Sequence, residues 1–451
     1  MDDYRLIADQ VAAEIADGRL RPGRQLPTQR AFARSRGIAN STAGRVYREL
    51  ARRGLTVGEV GRGTFVRAGR APDGARVALA EPATAPVDLE LNYPSVPGQA
   101  ELLAGGLAPL LRPDALGDAL RPVGAAGTGA ARRAFAGLVS AGSWEVGAGE
   151  LLFAGNGRQA IAGALSALVP AGQRLGVEEL TYPVVKAVAE RLGITLVPLA
   201  MDEHGLLPDA VAAAHRAAPL RAVYVQPRLQ NPLGASLPGD RAAGLVAVLR
   251  QLDLPVVEDA IWSFLRPGSA PLAALAPERT VLVDSLSKRL APGLTTGFAV
   301  VPAALRERVA GALRSGGWTP SGFALEAAVR WIGDGTLAAV EAAKRADATA
   351  RQLLAREVLA GQRLRSDPCS YYLWWELPTG LRAETFAAEA ERAGISVTPA
   401  AAFAVDPRRS PSAVRVGLAS PTLPVLARAL ETLVGIARGV GGGGGQRTDD
   451  S

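Results

Sequence analysis

Residues 283–293 read VDSLSKRLAPG, and Lys288 within them is one of only three lysines in a 451-residue chain, with Lys186 and Lys344. Every other basic side chain, the two histidines aside, is arginine. A guanidinium serves as a surface charge, so a lysine set between small hydroxyl residues and a Pro-Gly turn calls for a chemical reason. Its primary amine can lose a proton and attack a carbonyl to form a Schiff base, which a guanidinium cannot do. Other polar residues occupy comparable places. Asp259 closes the run VVED, Ser285 and Ser287 precede Lys288, and Asn231 follows in VQPRLQNPLG. The segment FAGNGRQA is a glycine-rich turn suited to holding a phosphate on backbone N–H groups at a helix N-terminus. Singly, each has a plainer reading: an N-cap, a turn, a surface charge. Their combination points to one site.

The elements that must position these residues alternate between about 150 and 300. Apolar strand-like runs appear as ELLFAG, RLGVEE, ITLVPL, RAVYVQP, LPVVED, TVLVDS and GFAVVP. Helix-like segments lie between several of them, such as GRQAIAGALSALV and RAAGLVAVLRQL. This pattern predicts an α/β domain with a mainly parallel sheet covered on both faces. Ligands then bind at the carboxyl ends of the strands, where the polar residues above fall. After 300 the helices lengthen, and a smaller α+β region follows with strands at YYLWWEL and AVRVGLA.

Over about residues 90–437 this set resembles the fold-type I aminotransferase family, which uses pyridoxal 5′-phosphate. The resemblance implies that Lys288 forms the Schiff base with the cofactor and that Asp259 pairs with the pyridine nitrogen. It implies that Asn231 hydrogen-bonds the ring hydroxyl and Tyr182 stacks on the ring. Gly157, Arg158 and Ser285 fall where the phosphate is held, and Arg415 where a substrate carboxylate is gripped. The chain departs from the family at Ile261, where a tyrosine is common, and at Thr295, where an arginine often holds the phosphate. Arg289 or Arg158 is expected to compensate. These departures imply exchange of an amine on the cofactor with little full transamination.

The net charge of +7 is concentrated at one end. Residues 1–68 hold thirteen arginines and seven acidic residues, a net of +6. That bias suits a polyanion such as nucleic acid, although an arginine-rich solvated surface would look the same. Helical spacing marks a first helix up to Gly18 and a second after Thr28 ending at Gly37. A third is opened by the cap residues Asn40, Ser41 and Thr42, and LTVGEVGRGTFV then reads as a hairpin. Together they predict a winged helix-turn-helix. The stretch from GRLRPGRQLPTQR to GRGTFV resembles the DNA-binding domain of GntR-family regulators. The resemblance implies DNA contacts from Arg30, Asn40, Ser41, Thr42 and Arg45, and from Arg62, Gly63 and Thr64 in the wing. Some family members carry arginine where this chain has Asn40 and Gly44, so base preference does not carry over.

The expected organisation is a DNA-binding domain at 1–68, a linker at 69–89, an aminotransferase-like effector and dimerisation domain at 90–437, and a flexible glycine-rich tail at 438–451. It is similar to MocR/GabR-type regulators, in which the cofactor and an amino-bearing effector change the DNA-binding state. A homodimer on operator DNA follows from the resemblance. The alternatives are an aminotransferase with an accessory DNA-binding domain, or a regulator whose sensor domain has lost its cofactor. No run of 18 apolar residues is present, so no membrane span is expected. The polar, acidic start of the chain resembles no leader, and the lone Cys369 fits a reducing cytoplasm. Cys369 itself reads as a core residue. His204 and His215 stand apart, so no metal site is expected.

Overall fold

The computed structural model describes residues 4–21, 23–59, 63–66 and 85–441. Three helices, Tyr4–Ala16, Gln29–Arg36 and Asn40–Arg52, form the start of the chain, followed by the antiparallel pair Thr56–Glu59 and Gly63–Val66. The second helix begins as its sequence dictates: the Thr28 hydroxyl accepts from the Ala31 N–H, and Gly37 ends it in the left-handed region at φ 64°. The third differs from expectation. Ala39 is its N-cap and makes no side-chain cap bond, so Asn40, Ser41 and Thr42 form the first helical turn. Ala8, Val11, Val46 and Leu50 bury the shared core, where Phe32 meets Tyr47 edge-on at 5.3 Å between ring centres.

The central domain is a seven-stranded sheet. Its order is Leu151–Ala154, Gly297–Val300, Thr280–Ser285, Val256–Asp259, Ala222–Val225, Arg174–Glu178 and Thr195–Leu199. All seven expected strands are present. Six run in one direction, while Gly297–Val300, antiparallel to both its neighbours, runs the other way. Helices cover both faces, and every residue of the middle strands is buried. That explains their unbroken aliphatic character. The smaller region carries an antiparallel sheet in the order Arg363–Arg365, Tyr372–Glu376, Ala413–Gly417 and Thr398–Pro399. The helices Thr336–Val358, Ala383–Arg392 and Leu423–Gly441 pack around its core.

Two expected boundaries shift. Val87–Asp88, assigned to the linker, pair as a strand with Ile395–Ser396, and Leu89 is fully buried in the smaller region's core. The last helix runs through Gly441, into the segment expected to be tail. Cys369 is half-buried at the edge of an aromatic cluster rather than inside a core. No helix among the described residues is long and apolar enough to cross a membrane.

The N-terminal winged domain rests on the smaller region. The Arg382 guanidinium lies 3.6 Å from the centre of the Phe65 ring, and a Cβ on Gly23 would overlap the Thr385 hydroxyl. A cavity of about 400 Å³ lies between Val57 of the wing and residues 377–384, 407 and 410–412.

The tightest backbone approach lies in the central sheet. A Cβ on Gly297 would sit 2.2 Å from the Asn156 carbonyl oxygen and 2.9 Å from the Gly157 nitrogen. Gly297→Ala should therefore lower unfolding stability by about 1–3 kcal/mol, the usual cost of overpacking. Gly311→Ala, in the helix Arg306–Ser315 with nothing within 4 Å of the new methyl, should raise it by about 0.5–1 kcal/mol. Chemical denaturation of the two variants checks both signs.

Candidate functional site

The carboxyl ends of the parallel strands open into a cavity of about 640 Å³. Gly157, Arg158, Tyr182, Asn231, Asp259, Ser285, Lys288 and Arg415 all line it. Sequence positions more than 250 residues apart thus meet in one place.

Local structure explains each position. Asp259 is the last residue of its strand and Ser285 the last of the next. Lys288 sits in the single helical turn Leu286–Arg289 that follows, and the Ser285 hydroxyl caps that turn by accepting from the Ser287 N–H. The Ser285 and Ser287 hydroxyls are 2.7 Å apart. Gly157 opens the helix Gly157–Leu168, capped by Asn156 accepting from the Gln159 N–H. Its missing side chain matters: a Cβ would lie 3.0 Å from the Ser285 hydroxyl.

The polar groups form one chain of hydrogen bonds. The buried Asp259 carboxylate accepts from the Tyr224 hydroxyl at 2.6 Å, from Gln226 Nε2 at 3.0 Å and from the Ile261 N–H at 3.1 Å. Gln226 Oε1 accepts from the Asn231 N–H at 3.1 Å, and Asn231 Oδ1 accepts from Arg415 Nη1 at 3.0 Å. Arg415 Nη2 also donates to the Glu90 carbonyl and to the Thr398 hydroxyl, and its guanidinium lies 5.0 Å from the Phe403 ring centre. Burial pushes the Asp259 carboxyl up to about 6, against the pull of the Tyr224 bond. Burial pushes the Lys288 amine down to about 7, and the Arg415 and Arg158 charges push the same way. Its Nζ donates to the Asn92 carbonyl and lies 4.6 Å from the Tyr93 ring centre and 5.4 Å from that of Trp262. An enclosed amine that readily sheds its proton is a nucleophile at neutral pH.

The donors suit an anion and a planar ring with a basic nitrogen. The first N–H groups of the Gly157 helix have no partner inside the helix. The Thr295 hydroxyl, in the same wall, is buried without a hydrogen-bond partner, and so is Arg415 Nε. Asp259 offers a buried carboxylate, and Tyr182 lines the wall with its hydroxyl beside Arg158. The group that the sequence resemblance implies, pyridoxal 5′-phosphate, fits these donors.

Arg289 is the exception among the expected cofactor residues. Its guanidinium is bound by Asp284 at 2.7 Å and Glu341 at 2.5 Å and packs over Phe264, outside the cavity wall. It cannot stand in for the arginine absent at Thr295; Arg158 and the Thr295 hydroxyl are the groups at hand. Glu90, Asn92, Tyr93, Gln226 and Trp262 line the cavity and were not foreseen. Gln226 directly follows its strand, so the strand-end rule that marks Asp259 would have found it. The segment Glu90–Tyr93 carries no local signal.

On the N-terminal domain, Arg30, Asn40, Ser41 and Arg45 are exposed and Thr42 is half-buried. Gly63 is exposed at φ 116° and Thr64 half-buried, while Arg62 lies outside the described residues.

Residues 3–66 match the family described as "Bacterial regulatory proteins, gntR family". The chain is 28% identical over 435 residues to an uncharacterized HTH-type transcriptional regulator, YdeF of Bacillus subtilis, covering 95% of this chain and 93% of that one. It is 36% identical over 132 residues to the HTH-type pyridoxine biosynthesis transcriptional regulator PdxR of Corynebacterium glutamicum, covering 29% and 28%. Its fold is similar to LysN, an α-aminoadipate aminotransferase of Thermus thermophilus, with TM-score 0.69 and 22% identity over 78% of this chain and 92% of that one. An archaeal alanine:glyoxylate aminotransferase gives TM-score 0.72 at 18% identity, over 79% and 92%. The chain thus joins a gntR-family helix-turn-helix domain to an aminotransferase-like fold, and YdeF and PdxR among its relatives are HTH-type transcriptional regulators, consistent with the MocR type.

The Asp259 network predicts a pH-dependent mutant. Its carboxyl titrates above the ordinary 3.8, so that group's stabilising contribution is complete below 3.8 and is lost as pH rises through about 6. Tyr224→Phe removes a donor that favours the charged form and pushes the carboxyl higher still. The loss should be on the order of 1.5–3 kcal/mol at pH 8 and smaller at pH 4.5, where the carboxyl is neutral. Equal losses in denaturation at the two pH values would assign Tyr224 to packing alone.

Proposed function

We propose that this DNA-binding transcriptional regulator takes up pyridoxal 5′-phosphate on Lys288 and uses it to sense a small molecule bearing a primary amine. The observation that carries the reading is the Lys288 amine, enclosed among Asn92, Tyr93 and Trp262 and facing the same cavity as the Asp259 network. When bound, the cofactor supplies a carbonyl that amines capture and an electron-poor ring. The chain's own residues do the rest. Lys288 presents its amine, and Asp259, held by Tyr224 and Gln226, sets a negative charge against the ring nitrogen. Asn231 addresses the ring hydroxyl and Tyr182 covers the ring face. Gly157, Arg158, Ser285 and Thr295 hold the phosphate.

Arg415 takes the effector's carboxylate, giving up Asn231 or Thr398 as a partner to do so. Ile261 meets Asp259 only through its backbone N–H, and no arginine of the Lys288 segment reaches the cavity. Both facts favour sensing over turnover. The protein acts in the cytoplasm as a homodimer on operator DNA, which Arg30, Asn40, Ser41, Thr42, Arg45, Arg62, Gly63 and Thr64 contact.

Borohydride reduction of the purified chain incubated with pyridoxal 5′-phosphate should fix the cofactor to the peptide containing Lys288. Label on Lys186 or Lys344, or none, would overturn the assignment. For DNA, binding to the gene's own upstream region should weaken steeply with salt as phosphate contacts release counterions. Arg45→Ala should weaken that site more than random DNA, because its helix enters the groove where bases differ. Equal affinity of the wild-type chain for both DNAs in an anisotropy titration would remove the regulator reading.

A further inference from the structure

Lys344 lies outside the cavity wall and is fully buried in the helix Thr336–Val358. Its Nζ donates to the carbonyl of Lys288 at 2.9 Å and to that of Leu290. The acceptors are a carbonyl of the turn that carries Lys288 and the carbonyl of Leu290, the residue that ends it. That turn is only four residues long, Leu286–Arg289. A single turn has almost no stability of its own, so neighbours must set its place. Its C-terminal carbonyls have no partner inside the helix, and a cation there meets the negative end of the helix dipole.

The surroundings leave the Lys344 ammonium to this task. Glu341 is held by Arg289 at 2.5 Å, and Asp347 by Arg351 at 2.7 Å and the Tyr371 hydroxyl at 2.9 Å. Gln99 Nε2 adds a second donor to the Leu290 carbonyl at 3.2 Å. The residue type is informative. Arginine supplies nearly every cation in this chain, and here a compact ammonium turns its donors onto two carbonyls from a fully buried position. Lys186 repeats the pattern across the cavity, donating to the carbonyls of Ala402 and Ala404 at 2.9 and 2.7 Å, beside the lining residues Ala402 and Phe403.

We infer that Lys344 is a positioning residue: its ammonium clamps the backbone of Lys288 and Leu290 and so aims the Lys288 amine into the cavity. Burial pushes the Lys344 amine itself down to about 7, and its charge is one of those acting on Lys288. The clamp rests on the reading of Lys288 as the reactive amine, but its test does not depend on the cofactor.

The test uses the full-length chain with Lys344→Met, which keeps the length of the side chain and removes the donors and the charge. The first readout is the rate at which an amine-acylating reagent labels Lys288, followed by peptide mapping with only three lysines to resolve. The second is the rate of capture of free pyridoxal 5′-phosphate, followed by visible absorbance. The clamp predicts a severalfold change in Lys288 labelling and capture slowed by about tenfold or more, since misplacing a reacting group by an ångström is costly. A variant that melts lower but labels and captures at wild-type rates would make Lys344 purely structural and overturn the inference. Lys344→Leu likewise removes the donors and the charge, and it is judged by the same outcomes should Lys344→Met fail to fold. A wild-type chain that captures no cofactor defeats the functional reading alone; the labelling comparison still decides the clamp.

Discussion

The backbone of Gly297 passes so close to Asn156 and Gly157 that no side chain fits between them. The geometry of the site depends on that approach. It seats the antiparallel strand Gly297–Val300 between Leu151–Ala154 and Thr280–Ser285. The start of the Gly157 helix is thereby pressed toward Ser285. An anion-binding helix terminus and the turn holding Lys288 become neighbours, although the chain separates them by more than 120 residues. A methyl at Gly157 would meet Ser285, so one glycine in the cavity wall and another behind it set how closely these segments approach.

From there the site extends as one hydrogen-bonded line, from Tyr224 through Asp259, Gln226 and Asn231 to Arg415. Its two ends belong to different parts of the fold. Asp259 closes a strand of the large sheet, while Arg415 lies in the small antiparallel one. In a buried, low-dielectric setting such a line is strong when complete and costly when one member is lost.

Much of this was legible in the sequence. The seven strands of the large sheet announce themselves as aliphatic runs, and the inner ones do so because both of their faces are buried. The polar residues at the ends of the strands Val256–Asp259 and Thr280–Ser285 then mark the cavity. What escaped has physical reasons. Arg289 follows Lys288 in a helical turn, and consecutive helical residues point about 100° apart. With Lys288 aimed at the cavity, Arg289 faces Asp284 and Glu341 instead. Tyr93 and Asn92 reach Lys288 across nearly two hundred residues, and no local pattern encodes that contact. Asn40 looks like a cap by its type, but Ala39 takes that place because the preceding turn already supplies the extended backbone. Val87–Asp88 sit in a stretch of linker-like composition and are recruited to a sheet by a strand three hundred residues later.

The smaller region touches both working ends of the molecule. Its strand Ala413–Gly417 holds Arg415 in the cavity, and its segment at Arg382 and Thr385 supports Phe65 of the wing and the turn at Gly23. These contacts lie on one packed unit built around Trp375, Phe386 and Val414. The two contacts are thus two arms of one rigid body. A rotation of a few degrees that draws Arg415 toward or away from the cavity carries the seat of the wing with it, through no intermediary other than its own stiffness.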